Sequence, residues 1–198
     1  MFGLKFGAKP EPAQEGEYVI ARLNARVQPL DRGEYYEDPL NETLEEMGLG
    51  SVTGGGTQMA DEPAGIEFVD LEICVHDAGG DTLSAIADRL EAVGAPKGSR
   101  LIVEKDGSEV PFGKLEGLGL FLNGTELDDT VYAESDVNHV IEQCDRLMPH
   151  GDFRGYWEGS RETALYFYGR SFEEMKAAIA AFTEAYPLCQ KARIEQIA

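Results

Sequence analysis

Residues 51–58 read SVTGGGTQ, with Gly54, Gly55 and Gly56 held between Thr53 and Thr57. A glycine run can cradle a phosphate, because its backbone N–H groups approach the anion without side-chain interference. A phosphate loop also needs a following helix and a lysine beside serine or threonine; here Gln58-Met59 follow and no lysine is near. The glycines are therefore expected on an edge strand, where they allow a bulge or a close backbone approach. His76, His139 and His150 stand singly. His76 precedes Asp77 and has the makings of a general base, but a lone histidine at a strand end is more often a plain surface residue. The patterns HExxH, GxSxG and CxxC do not occur. DGSEVPFGKLEG lacks the acidic spacing of a calcium loop, and Asp128-Asp129 reads as a solvated turn. Cys74, Cys144 and Cys189 are odd in number and scattered, which argues against a disulfide framework or a zinc site. They are expected to pack as small apolar groups with reduced thiols. No catalytic residue, metal site or cofactor is assigned, and the residues lean toward a non-enzyme without deciding it.

Charge narrows the partners. The chain has 198 residues, 17 basic and 37 acidic, for a formal net charge of −20. The acid is not a tail: residues 17–108 sum to −12 and residues 109–198 to −8. Such a surface repels nucleic acid and anionic lipid, so neither is expected as a partner. The plain reading is a well-solvated surface; the sharper one is a surface that docks a basic protein or mimics nucleic acid. No apolar run approaches the length of a membrane span. The start, MFGLKFGAKPEPAQEG, has neither a long apolar core nor a small-residue cleavage site, so residues 1–16 read as a disordered tail and not a signal peptide. A cytoplasmic location is expected.

The elements that position these residues appear twice. Aligned at an offset of 97, Tyr35 meets Tyr132, Glu37 meets Glu134, Leu40 meets Val137, Asn41 meets Asn138, Leu44 meets Ile141 and Glu45 meets Glu142. Upstream, Leu23-Asn24 matches Leu122-Asn123. In the first copy, 18–27 alternates as a strand. Asp38-Pro39 is expected to open a helix over 39–48, stopped by Gly48 and Gly50. Residues 51–59 read as a weak strand and 65–76 as a strong one. Leu83, Ile86, Leu90 and Val93 share one helical face, and 100–104 closes the unit as a strand. The second copy gives a strand at 118–124, a helix at 135–148 capped by Ser135 or Asp136, a hairpin, a helix at 171–186 and a last strand, ARIEQI.

Both copies read βαββαβ. By that topology the chain resembles tandem ferredoxin-like proteins: α+β, with repeat 1 at 17–108, a linker at 109–117 and repeat 2 at 118–198, each an antiparallel sheet with helices on one face. The Asp106-Gly107 turn is placed to extend the last strand of repeat 1.

The other sheet face is open in such a unit. In repeat 1 alternation puts Arg22, Asn24 and Arg26 there, beside Asp70, Glu72, Cys74 and His76, with opposite charges pairing across strands. In repeat 2 it puts Phe121, Asn123, Ala164, Tyr166 and Tyr168 there, a surface too apolar to stay bare. It must meet the other repeat, another subunit or a ligand. The first functional reading is a non-catalytic binding or regulatory protein acting through protein contacts, as a homodimer or with a basic partner, in the manner of an inhibitor or immunity protein. The second is an enzyme or small-molecule sensor with a cleft between the sheets, as the resemblance to facing ferredoxin-like repeats implies. There Arg22 or Arg26 would hold an anionic group and Tyr166 or Tyr168 would stack on a ring.

Overall fold

Period-two alternation makes β1 (Glu17–Leu23) and β3 (Ile66–Val75) amphipathic, and both lie in the middle of a sheet. The computed structural model describes residues 16–60 and 65–198; the expected disordered tail, Gly16 apart, lies outside the described residues. The first unit continues through α1 (Pro29–Arg32), a π-helical turn (Gly33–Glu37), α2 (Asp38–Glu46), β2 (Gly50–Met59), β3, α3 (Gly80–Ala92), β4 (Ser99–Val103) and β5 (Glu109–Phe112). The second comprises β6 (Glu116–Asn123), α4 (Asp129–Glu134), α5 (Val137–Leu147), β7 (Gly151–Glu158), β8 (Glu162–Gly169), α6 (Phe172–Ala185) and β9 (Arg193–Gln196). The sheets run β2-β3-β1-β4-β5 and β7-β8-β6-β9, and every pairing between named strands is antiparallel. The fold is thus α+β, with two βαββαβ units. The segment expected as a linker supplies β5, which pairs with β4 across the Asp106-Gly107 turn, and the first residues of β6.

Each unit has its own core. Val19, Ala21, Leu23, Leu71, Ile73 and Leu101 face Leu40, Leu44, Ile86 and Leu90 in the first. Leu118, Leu120, Leu165 and Phe167 face Val140, Cys144, Met175 and Ile179 in the second. Fully burying a large aliphatic or aromatic side chain stabilises by about 1.5–3 kcal/mol. All three cysteines are free and buried. Burial pushes the Cys144 thiol up to about 12 and Cys189 up to about 11, so both stay protonated within the core.

Two local expectations are corrected. The first helical stretch does not start at Asp38: it starts at Pro29, after Gln28, and runs through the π turn into α2. Asp38 is helical, and its N–H reaches back to the Gly33 carbonyl. Pro39 has no N–H to give, and the widened turn just before it accommodates that missing bond. The helices also correspond at a different offset. Leu40 and Leu44 are buried on α2 and Val140 and Cys144 on α5, a spacing of 100 and not 97. Three residues is nearly one turn, so apolar positions match apolar positions either way. Asn41 and Asn138 accordingly do different jobs. The Asn41 Oδ1 accepts from the Val52 N–H at 2.9 Å, whereas the Asn138 amide bonds Asp136, the N-cap of α5.

The edge strands carry matching bulges, at Val52/Gly54 in β2 and Phe153/Gly155 in β7. In each, the N–H before the bulge donates to a helix side chain: Val52 to Asn41, and Phe153 to Asp145 Oδ1 at 2.8 Å. The glycine run therefore lies on an edge strand, as expected. At Gly55 a Cβ would stand 2.6 Å from Glu37 Oε1 and 2.7 Å from the Asp70 carbonyl; at Gly56 nothing lies within 4 Å. Gly55→Ala is expected to destabilise the protein by about 1–3 kcal/mol in urea titrations. Gly56→Ala should be neutral or stabilising by about 0.4–1 kcal/mol, through the unfolded chain.

Candidate functional site

The open face of the first sheet is organised around one bidentate ion pair. Arg22 bonds Asp70 twice, at 2.9 and 2.7 Å, and its guanidinium lies 4.1 Å from the centre of the Phe68 ring. The hydrogen bonds it donates to Asp70 raise the Arg22 pKa further. Arg22 and Asn24 line a shallow hollow of about 210 Å³ with Glu67, Phe68, Gly98 and Arg100. Glu72 is exposed and reaches toward Gly54, Cys74 is buried, and His76 is exposed at the strand end.

The open face of the second sheet is covered. Phe121, Ala164, Tyr166 and Tyr168 are each no more than 2% exposed. Leu115, Trp157, Ile197 and Ala198 pack against this face, and the first repeat, whose chain continues past β1 along residues 24–28, covers the Tyr168 end. The Arg26 N–H donates to the Tyr168 hydroxyl at 2.7 Å, and Gln28 Nε2 donates to the Tyr156 carbonyl at 2.9 Å. Asn24 Nδ2 donates to the Lys97 carbonyl at 2.9 Å and lies 3.5 Å from the Ile197 carbonyl. Gly155 makes this approach feasible: a Cβ there would stand 2.9 Å from the Arg26 carbonyl. Gly65, at φ +72°, lies flat against the Trp157 ring. Asn123, the counterpart of Asn24, instead accepts from the Thr125 and Glu126 N–H groups and closes its own turn.

Of the residues picked from sequence, the structure therefore joins Arg26, Tyr166 and Tyr168. Arg22, Asp70 and Glu72 stay apart on the other sheet, and Phe121 stacks under a different arginine. Arg193 lies 3.8 Å over the Phe121 ring and bonds Glu162 at 3.0 and 2.9 Å. Arg193 flanks Phe121 on β9 as Arg100 flanks Arg22 on β4, so the strand pairings match.

Sequence reasoning missed the most unusual surface. Glu34, Asp38, Glu42, Glu45 and Glu46 are exposed along α2 and the turn before it, around a hollow of about 550 Å³. Among the described residues none of these five is in a salt bridge. The one cation lining the hollow, Arg89, gives its Nε–H to the Pro39 carbonyl. The signal is legible in the chain: no lysine or arginine stands between Arg32 and Arg89. A second hollow, of about 560 Å³, opens between α5 and the second sheet. Its floor is Leu122, Leu165 and Leu188, and Asn138, Glu158 and Thr163 supply polar groups. Among the described residues no group of His, Cys, Asp and Glu is arranged to hold a metal, and no helix is long and apolar enough to cross a membrane.

No protein-family model and no curated protein matches the chain. Among solved structures it is similar to an unknown protein from Galdieria sulphuraria, at 9% identity over 91% of this chain and 96% of that one, with a TM-score of 0.27. It is also similar to an anthrone oxidase-like protein, at 13% identity over 88% and 80% of the two chains, with a TM-score of 0.24. Scores this low carry no argument for fold or activity.

Two measurements test the seam and the ion pair. Tyr168→Phe removes the acceptor of the Arg26 N–H and should cost about 1–3 kcal/mol in urea unfolding. The hydrogen bond from Arg193 holds the Glu162 carboxyl below its ordinary range, so the pair stabilises above about pH 4.5 and fades as pH falls through the folded value. Arg193→Gln should cost up to about 1 kcal/mol at pH 7, with its stability converging on that of the native protein as pH falls through the folded Glu162 value.

Proposed function

We propose that the protein is a non-catalytic binding protein whose acidic α2 face docks a basic protein partner. The observation that supports this reading is the row of unneutralised carboxylates at Glu34, Asp38, Glu42, Glu45 and Glu46. Its cost to the fold is what makes it telling. Like charges four residues apart on a helix oppose folding by about 0.2–0.5 kcal/mol per pair. Glu45 and Glu46 also sit in the last turn, where the helix dipole disfavours negative charge, and no basic residue offsets them. A surface that only needed solubility could interleave lysines, as exposed helices commonly do. A basic partner would relieve both penalties on binding and would be steered to this face at a distance. An inhibitor or immunity-type role for a cationic target is the concrete form of this reading.

A second reading, a small-molecule sensor, moves away from the covered seam between the sheets. It is favoured by the leucine-floored hollow beneath α5, whose volume of about 560 Å³ falls in the range of ligand pockets.

The deciding experiment is capture of a basic partner at low salt, followed by titration of the isolated pair. Affinity should fall steeply with salt. The variant Glu34→Gln/Asp38→Asn/Glu42→Gln/Glu46→Gln should weaken it at least about tenfold with no loss of thermal stability. Binding that ignores both salt and the variant would overturn the docking face.

A further inference from the structure

Resting on the small-molecule reading of the hollow between α5 and the second sheet, we propose that this hollow binds a small organic cation. The ligand carries a guanidinium or primary ammonium head on an apolar body, and the Glu158 carboxylate and the Tyr156 ring hold the head.

The same place in the first unit is filled by a guanidinium. After the bulge in β2, Gly55 and Thr57 stand opposite Leu71 and Val69, on the helix-facing side of the first sheet. After the matching bulge in β7, Tyr156 and Glu158 stand opposite Leu165 and Thr163, on the helix-facing side of the second. Gly55 and Thr57 therefore correspond to Tyr156 and Glu158. The Arg32 guanidinium lies over the first pair: a Cβ at Gly55 would stand 3.0 Å from its Nε, and its Nη1 donates to the Thr57 hydroxyl at 3.0 Å. Glu37 completes the group by accepting from Arg32 Nε. At the spacing of 100 that matches the buried positions of α2 and α5, Arg32 and Glu37 fall on Tyr132 and Val137. Both line the hollow and neither is charged, so the second unit supplies no cation of its own there and about 560 Å³ stays open.

The carboxylate, by contrast, is kept and changes sides. In the first unit it comes from Glu37 before α2; in the second it comes from Glu158 on the strand. Among the described residues Glu158 is in no salt bridge. Asn138 gives both its backbone N–H and its Nδ2 to Asp136 Oδ1, at 2.8 and 3.1 Å, which leaves its own Oδ1 to accept. The Tyr132 hydroxyl is spent in the wall, accepting from the Leu127 N–H at 3.0 Å and donating to the Asn123 carbonyl at 3.2 Å. A carboxylate and an amide oxygen only accept, so they select a ligand that donates, and a charged donor bonds a carboxylate best. Tyr156 is 48% exposed and offers its ring beside Glu158, a face that attracts guanidinium and ammonium groups. The floor of Leu122, Leu165 and Leu188 suits an apolar body.

The test is a titration of the full chain with phenethylguanidine, phenethylamine, the neutral phenethyl alcohol and the anionic phenylpropanoate, read by NMR of leucine and isoleucine methyl groups. Ionic strength is fixed, so that screening is constant. Both cations should shift the Leu122, Ile141 and Leu165 methyl signals saturably and bind at least about tenfold tighter than the alcohol. Glu158→Gln should remove that preference, and Tyr156→Leu should weaken cation binding about two- to fivefold. Both side chains are exposed, so neither substitution should disturb the fold. An alcohol that binds as tightly as the cations, or a preference that survives Glu158→Gln, overturns the cation and leaves the hollow as a site for apolar ligands. Methyl signals that no probe moves overturn the cation and the small-molecule reading together. Cation shifts confined to α2, and lost in Glu34→Gln/Asp38→Asn/Glu42→Gln/Glu46→Gln, reveal attraction to the acidic face alone and also overturn the site.

Discussion

The aromatic face of the second sheet is the constraint on which the rest of the chain depends. Phe121, Tyr166 and Tyr168 cannot stay in water at acceptable cost, and the helices of their own unit pack on the other face of the sheet. Arg193 covers Phe121, Leu115, Trp157, Ile197 and Ala198 pack against the cluster, and the first repeat adds backbone by laying residues 24–28 against Tyr168 and Gly155. Backbone brings its own polar groups, so cover by backbone must be a hydrogen-bonded arrangement. The Tyr168 hydroxyl accepts from Arg26 N–H, and the Gln28 side chain takes the Tyr156 carbonyl. The two units are therefore joined by more than their linker: an apolar face that needs a lid, and a strand extension that supplies part of it with its polar groups mostly answered.

That arrangement explains why the same bulge is used differently in the two units. Val52/Gly54 and Phe153/Gly155 interrupt their edge strands at matching places, and in both the freed N–H is taken by a helix side chain. In β7 the bulge glycine admits the backbone of the other repeat. In β2, which meets no second sheet, the glycine run instead makes room at Gly55 for the Arg32–Glu37 pair, and Arg32 Nη1 also reaches the Thr57 hydroxyl at 3.0 Å. One device, a bulge with glycine, thus serves sheet-to-backbone contact in one copy and helix-to-strand contact in the other.

What could be read from the chain follows from which forces are local. Alternation placed Val19, Ala21 and Leu23 under the helices, and it placed Arg22 opposite Asp70, because strand geometry is set residue by residue. It also identified Tyr166 and Tyr168 as needing cover. It could not say what covers them, because the path of residues 24–28 beyond β1 is fixed by contacts more than a hundred residues away. The π turn was hidden for a related reason. Asp38-Pro39 is a sound start signal taken alone, but the helix runs through it from a π turn that buries Tyr36 at 0% exposure. The acidic stripe on α2 was legible and overlooked, since counting charge by halves averages over a helix that contains no lysine or arginine.

The stripe and the seam are two answers to the same imbalance. A chain with 20 more acidic than basic residues has few cations to place, and the ion pairs in the structure show where they go. Arg22, Arg32 and Arg193 each fasten a strand or helix through a carboxylate. Arg26 is spent inside the seam with no carboxylate, and α2 receives none at all. Like charges in register on a helix oppose the isolated fold, whereas Arg26 is half-buried and keeps part of its hydration. Moving one lysine to α2 would relieve that cost with a single substitution. The uncorrected cost on α2 is the one that the proposed basic partner would relieve on binding.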